Sequence, residues 1–394
     1  MVAGSTPASG SGCRGSSAAG HVQRPVRPLS VVFFSEPRTV AFFLIDETES
    51  VVYSERVDLS LDHWKSLSTG ERESTAKRLA SSLPSGFAFD SVQCLNSVAG
   101  DVAFFRFEAA KFALIPGGLF RLGFDAERQW NPTPEELESW QITAAEYGLS
   151  GSIDEHVVAA TLRPRQVELA PFLIETTAGE LGWESVGVED DEVQSILKKY
   201  QNTKRIELCR GERSTRVQRK GDGSIIAERS ITRTHAELAE QSKASGFRFP
   251  ASDEWEYVCG CVEPTLFRWG DHAPCDRYPT DISLKEAEYR KQWVASGCKL
   301  KPSPGRFVRD WDLHVKPNAF GIFIASNPYH SELVAEIGIT RGGDGGCTVC
   351  GGYGFFVGWL TLATAYFEEH SCKHAPAEPI SPGYTVARRV LDLR

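Results

Sequence analysis

Cys347 and Cys350 stand three apart in the stretch RGGDGGCTVCGG (341–352), among six glycines. Two thiols at that spacing suit a redox pair or two ligands of one metal ion. They suit equally a glycine-rich turn in which both are small, inert residues. His370 and His374 follow, so the four run in Cys2His2 zinc order with 19 residues between the pairs. Zinc sites of that order usually carry a spacer of about 12 to 15 residues. Here the spacer includes the apolar GWLTLATAY, which reads as a packed strand or helix, so zinc is disfavoured. A second group, Cys259, Cys261 and Cys275, lies within VCGCVEPTLFRWGDHAPC. On a strand, Cys259 and Cys261 would share a face about 6.5 Å apart, which favours packed thiols over joint ligation. Asp271 and His272 after Trp269 could form an acid/base pair, with a turn as the default reading. No Gly-x-Ser-x-Gly, phosphate loop or His-Glu-x-x-His is present.

The elements that must hold these residues are short. SVVFF (30–34), TVAFFLID (39–46) and SVVYSERVDL (50–59) read as strands. A helix is expected over 68–83, with Ser68 as N-cap and Glu71 as its capping-box partner. GDVAFFRFEAAKFALIPGGLFRLGFD (100–125) predicts two strands joined to a turn at Gly117 and Gly118. Further helices are expected at 133–148 and 234–246, each opening on Thr and ending at Gly. The charged stretch 188–224 reads as an exposed inserted helix and hairpin. Residues 1–29 read as a disordered leader rich in Gly, Ser, Pro and Ala, and 30–103 as a small α/β subdomain or extension.

Composition narrows the partners. The 394 residues carry a formal net charge of −9, and no basic stripe is visible, which argues against nucleic acid. No apolar run reaches bilayer-spanning length, and 1–29 lacks the apolar core of a secretory signal. Ten cysteines are too sparse for a disulfide scaffold. The expectation is a cytoplasmic protein with mostly reduced thiols and no membrane partner.

Seven segments in one order resemble the formylglycine-generating-enzyme (sulfatase-modifying-factor) superfamily: FALIPGGLFRLGFD (112–125), VELAPFLIETT (167–177), GFRFPASDEWEYVCG (246–260), FRWGD (267–271), KPNAFGIF (316–323), ITRGGDGG (339–346) and YTVARRV (384–390). Together they span roughly 104–394. The resemblance implies an α+β, irregular C-type-lectin-like fold, with 30–103 as an N-terminal extension. It also implies a pair of cysteines that bind copper, as Cu(I), and with oxygen oxidise a polypeptide cysteine to formylglycine. Thiolates are the ligands that soft Cu(I) prefers. Cys347 matches the family's first cysteine; Cys350 comes three later, where the family has five, and the position five later is Gly352. Relatives also bind structural calcium near an element matched here by SNPYHSELV (326–334), where Asn327 and Glu332 could serve a hard cation or close a turn. Relatives that use histidine-held iron have a His-x3-His-x-Glu run, absent from this chain.

Independent of family, Pro250 stops an extended run, Ser252 can cap a new helix and Trp255 can bury its indole if the N–H finds an acceptor. Two functions follow. One is an oxidoreductase acting on a polypeptide cysteine through Cys347 and Cys350. The other is a non-catalytic module binding a protein or small ligand through its loops, with Tyr353, Phe355 and Phe356 as surface aromatics.

Overall fold

Ser/Thr-x-x-Glu segments open four helices in a computed structural model that describes residues 57–97, 100–126, 130–210, 213–261, 265–280, 292, 312–343 and 354–393. In each, the Ser or Thr side chain accepts a backbone N–H one turn in, and the glutamate reaches back to the cap. The helices within the described residues are α1 (Leu61–Ser66), α2 (Thr69–Ser82), α3 (Pro134–Tyr147), α4 (Ile153–Ala160), α5 (Asp191–Lys199), α6 (His235–Ala244), α7 (Ser252–Gly260), α8 (Phe355–Leu360) and α9 (Glu369–Cys372). The expected helices over 68–83, 133–148 and 234–246 are α2, α3 and α6. Gly148 ends α3 at φ 65°, a conformation that costs glycine little. The start of α7 differs from expectation. Its N-cap is Ala251, and Ser252, the first helical residue, donates its N–H to Glu336 (3.0 Å), a carboxylate from a distant loop.

The chain divides into two compact units, Met1–Glu55 and Arg56–Arg394, and all described residues belong to the second. The strands expected at 30–34 and 39–46, and most of 50–59, lie outside the described residues, as does the expected leader.

Strands β1 (Phe87–Ser97), β2 (Gly100–Phe107) and β3 (Ala110–Ile115) form an antiparallel meander. Strand β4 (Gly118–Leu122) turns away to pair with β5 (Arg165–Leu169), and β6 (Phe172–Glu175) returns beside β3. After β7 (Gly179–Glu180), strands β8 (Trp183–Ser185), β9 (Arg205–Arg210), β10 (Arg213–Arg219) and β11 (Ile225–Ser230) make a sheet of order β8-β11-β10-β9. Strands β12 (Ser331–Leu333), β13 (Thr340–Gly342) and β14 (Thr385–Ala387) join β7 in the order β13-β12-β14-β7, with β12 and β14 parallel. Strand β15 (Val390–Asp392) completes the first sheet, β1-β2-β3-β6-β15. The described residues are therefore α+β, and their other three sheets are wholly antiparallel.

The first sheet is covered on both faces. Phe104, Ala113, Ile174 and Val390 pair in register and face the larger core with Trp255, Phe320 and Trp359. Phe105, Phe112, Leu173 and Leu391 face a second core closed by Trp64, Ala76 and Leu79 of α1 and α2. Each phenylalanine so buried contributes about 1.5–3 kcal/mol. This double burial explains the unbroken apolar run VAFF, unusual in an antiparallel strand. Position 103/104, drawn from sequence as a boundary, falls inside β2, and β1 and β2 are continuous with β3, β6 and β15. The 188–224 stretch forms α5 and the β9–β10 hairpin, as its charge pattern suggested. Val193, Ile196, Ile206, Val217 and Ala227 give it a small core of its own.

Candidate functional site

Cys347, Cys350 and Tyr353 lie outside the described residues; their flanks, Gly343 and Gly354, are described. On the first flank, Arg341 of β13 is wholly buried. Its Nη2 donates to Glu256 Oε2 (3.1 Å) and to the Thr364 carbonyl (3.1 Å). Glu256 is shared: Arg165 donates to Oε2 (2.9 Å) and the Gly123 N–H to Oε1 (2.6 Å). The Trp255 ring lies 5.2 Å from the Arg341 guanidinium carbon. The expected burial of Trp255 is complete, yet its Nε1 finds no acceptor, and neither do Nε and Nη1 of Arg341. Gly342 takes φ 85°. Gly343 donates its N–H to the His330 carbonyl (3.0 Å), and its own carbonyl accepts the Ser331 hydroxyl (2.7 Å). A Cβ on Gly343 would collide with the Pro328 carbonyl.

On the second flank, a Cβ on Gly354 would overlap the Thr143 hydroxyl of α3. Phe356 donates its N–H to the Ser139 hydroxyl (3.1 Å) and stacks on Trp130 with centroids 5.5 Å apart. Phe356 is thus a core residue, which corrects its reading as a surface aromatic; backbone spacing alone does not tell a helix's buried face from its exposed one. Phe355 is half-buried, edge-on to Tyr278 at 4.8 Å.

Helix α3 also carries Glu136, fully buried. Its carboxylate accepts the Thr133 N–H (2.8 Å) and the Ala273 N–H (3.3 Å), and Oε2 lies 3.1 Å from Nδ1 of the half-exposed His272. A buried carboxylate fixing an accessible imidazole is an arrangement able to orient a proton acceptor. His272 therefore pairs with Glu136 and not with its neighbour Asp271, whose Oδ1 accepts the Leu266 N–H (3.1 Å). The only sequence signal for Glu136 is Thr133-x-x-Glu136, which reads as a helix start.

The described thiols divide by environment. Cys259 is buried and its thiol is pushed up to about 12 by burial; Cys275 is likewise pushed up to about 12 by burial, with Glu136 adding to it. Neither presents a thiolate near neutrality. Cys259 and Cys261 lie at the end of α7, with Cys261 as a left-handed C-cap (φ 53°), not on a strand as the Cys-x-Cys reading supposed. Cys372 is buried, whereas Cys94 and Cys209 are exposed.

Asn327 accepts the Tyr329 N–H on Oδ1 (3.0 Å), closing a turn. Glu332 is buried and bound through both oxygens to Arg388, with Nη2 to Oε2 at 2.9 Å. A carboxylate already neutralised by a guanidinium does not fit a calcium ligand, and both residues serve structure here. Of the zinc-order histidines, His370 is exposed, and His374 stacks on His235 at 5.5 Å with its Nε2 buried and unpartnered. Among the described residues no group of three or more His, Cys, Asp or Glu is arranged to hold a metal ion. No described helix is long and apolar enough to cross a membrane. No protein-family model matches the chain, and no curated protein matches it.

Proposed function

We propose that this chain is a divergent member of the formylglycine-generating-enzyme-like superfamily, with an irregular C-type-lectin-like fold, and that Cys347 and Cys350 support a copper-dependent oxidation of a polypeptide cysteine. The sequence support is the seven segments in family order. Their described parts join in a way that suits the reading: SNPYHSELV, ITRGGDGG and YTVARRV supply β12, β13 and β14 of one sheet. The observation that carries the proposal is the pair of glycine anchors, Gly343 and Gly354, each pressed against neighbouring groups on either side of the two cysteines. Two thiolates are the donor set that Cu(I) prefers. Bound copper would supply oxygen activation; the chain's part is to fix the flanking Gly343 against the Pro328 and His330 backbone and Gly354 against Thr143. The exposed thiols of Cys94 and Cys209 suit a reducing compartment, and we read the protein as cytoplasmic.

Cu(I) titration of the full chain and of a Cys347→Ser variant tests this. Tight 1:1 binding lost in the variant, with Cys347-dependent oxygen uptake on a cysteine peptide, is expected. Absence of Cys347-dependent binding would end the oxidase reading. Elemental analysis of the chain and of Cys350→Ser and His374→Ala variants tests zinc.

The spacing of Cys350, three after Cys347 in place of five, favours a second reading: a non-catalytic module binding a protein or small ligand. It predicts that stability and partner capture are indifferent to copper and to Cys347→Ser.

A further inference from the structure

Between α6 and the β7–β14 pair the structure has an open cavity of about 340 Å³. Leu181, Leu238, Phe249 and Ala387 give it an apolar side, and Glu175 and Arg389 line it as well. Volume and mixed lining are those of a small-molecule site. Arg389 donates from Nε to Glu175 Oε2 (3.0 Å) and from Nη2 to Oε1 (3.1 Å), so the glutamate occupies one edge of the guanidinium. A guanidinium offers five N–H donors in a planar fork. Among the described residues Nη1 of Arg389 has no hydrogen-bond acceptor, which leaves the Nη1–Nη2 edge for a second planar anion. Rings of Phe247 and Phe112, 5.0 and 5.5 Å from the guanidinium carbon, hold that group in place before any ligand arrives. Ser242 is also a lining residue, and its hydroxyl oxygen, just beneath the surface, has no hydrogen-bond partner among the described residues.

We propose that this cavity binds a small monocarboxylate with an aromatic or branched apolar body. The carboxylate takes the free edge of Arg389, and the body covers Leu181, Leu238 and Phe249. Arg388, also on the lining, is neutralised by Glu332 and Arg389 by Glu175, with Glu108 also acting on Arg389, so the selection rests on donor matching: a carboxylate can accept from Nη1 of Arg389, whereas an ammonium, itself only a donor, cannot. The lining residues named here include none of 344–353, and the proposal holds whether or not that segment is catalytic.

Calorimetric titration of the full chain with 2-naphthylacetate tests it, with 2-naphthylacetamide and 2-naphthylmethylammonium as neutral and cationic counterparts. Saturable binding of the acid, half-saturated below about 1 mM, and at least about tenfold weaker binding of both counterparts are expected. Gly179 lines the cavity, and a Cβ there meets nothing within 4 Å. Gly179→Leu therefore fills the space without backbone strain, and Gln241→Trp fills it from α6. Either variant that keeps native far-UV circular dichroism is expected to weaken the acid at least about tenfold. Three results would each overturn the proposal: no saturable binding to the unaltered chain, equal affinity for the three probes, or affinity unchanged in a folded blocking variant.

Discussion

At the scale of single residues, two buried polar groups behave in opposite ways. Glu332 and Arg388 neutralise one another inside the core, with side-chain exposures of 5% and 1%. Removing one member leaves the other charged and buried, which costs about 3–5 kcal/mol. Glu332→Gln is expected to lower the unfolding free energy measured by urea denaturation by that amount, and Glu332→Leu with Arg388→Met to recover most of it. A single variant as stable as the parent would show that the pair is not needed. Tyr257 is the reverse case. Its ring stacks on Phe120 at 4.0 Å, but its hydroxyl is buried without a partner, and burial raises its pKa further. Desolvating an unpaired hydroxyl costs about 1–3 kcal/mol. Tyr257→Phe is therefore expected to leave the melting temperature unchanged or raise it, and a clear fall would reveal an acceptor.

At the scale of elements, the β13–α8 connection depends on two residues without side chains. Gly343 lies against the backbone carbonyl of Pro328, which cannot swing aside as a side chain can. Gly343→Ala must separate β13 from the Asn327–His330 turn and break the Gly343 N–H to His330 bond. The expected cost is about 2 kcal/mol or more, from overpacking and a lost buried hydrogen bond. Hydrogen exchange should quicken at Gly343 and along β12 while α2 is unaffected. Exchange that rises equally everywhere would mean a global loss of stability and no local role for the glycine. Its neighbour Gly342 is required for a different reason, since φ 85° is strained for any residue with a Cβ.

At the scale of the whole molecule, four histidines respond to acid together. His156, His235, His330 and His374 are all held below the ordinary value of 6.5, chiefly by burial. Glu368 beside His156 and Glu378 beside His374 offset only part of this. His235 adds a structural cost, because Nδ1 accepts the Gly338 N–H (3.1 Å) and protonation would break that bond. With folded-state values below the unfolded one, the unfolded chain binds more protons once the pH drops past about 6.5. Stability is then fully present above that pH and is lost as pH falls through the folded-state values. Melting temperatures between pH 8 and pH 5 should fall on the acid side, and less steeply in His374→Asn, whose side chain takes up no proton. A flat profile would mean that these rings are solvated.

What the sequence determined by itself is mostly local. Ser68 with Glu71, Thr133 with Glu136 and Thr234 with Glu237 satisfy the first N–H groups of a helix using atoms three residues apart, so the starts of three helices were legible. The charge pattern of 188–224 likewise marked a helix and hairpin. Only the tertiary structure decided which far-apart groups meet. Glu136 and His272, 136 positions apart, form a pair; Glu336 caps α7 in place of Ser252; Glu332 faces Arg388; Phe356 enters the core. Strand β1 went unread because FAFDSVQCLNS alternates weakly, and its partner β2 carries the apolar signal. The physical reason is range. A cap is settled by neighbours along the chain, whereas burial, charge pairing and the open edge of Arg389 depend on segments that only folding brings into contact.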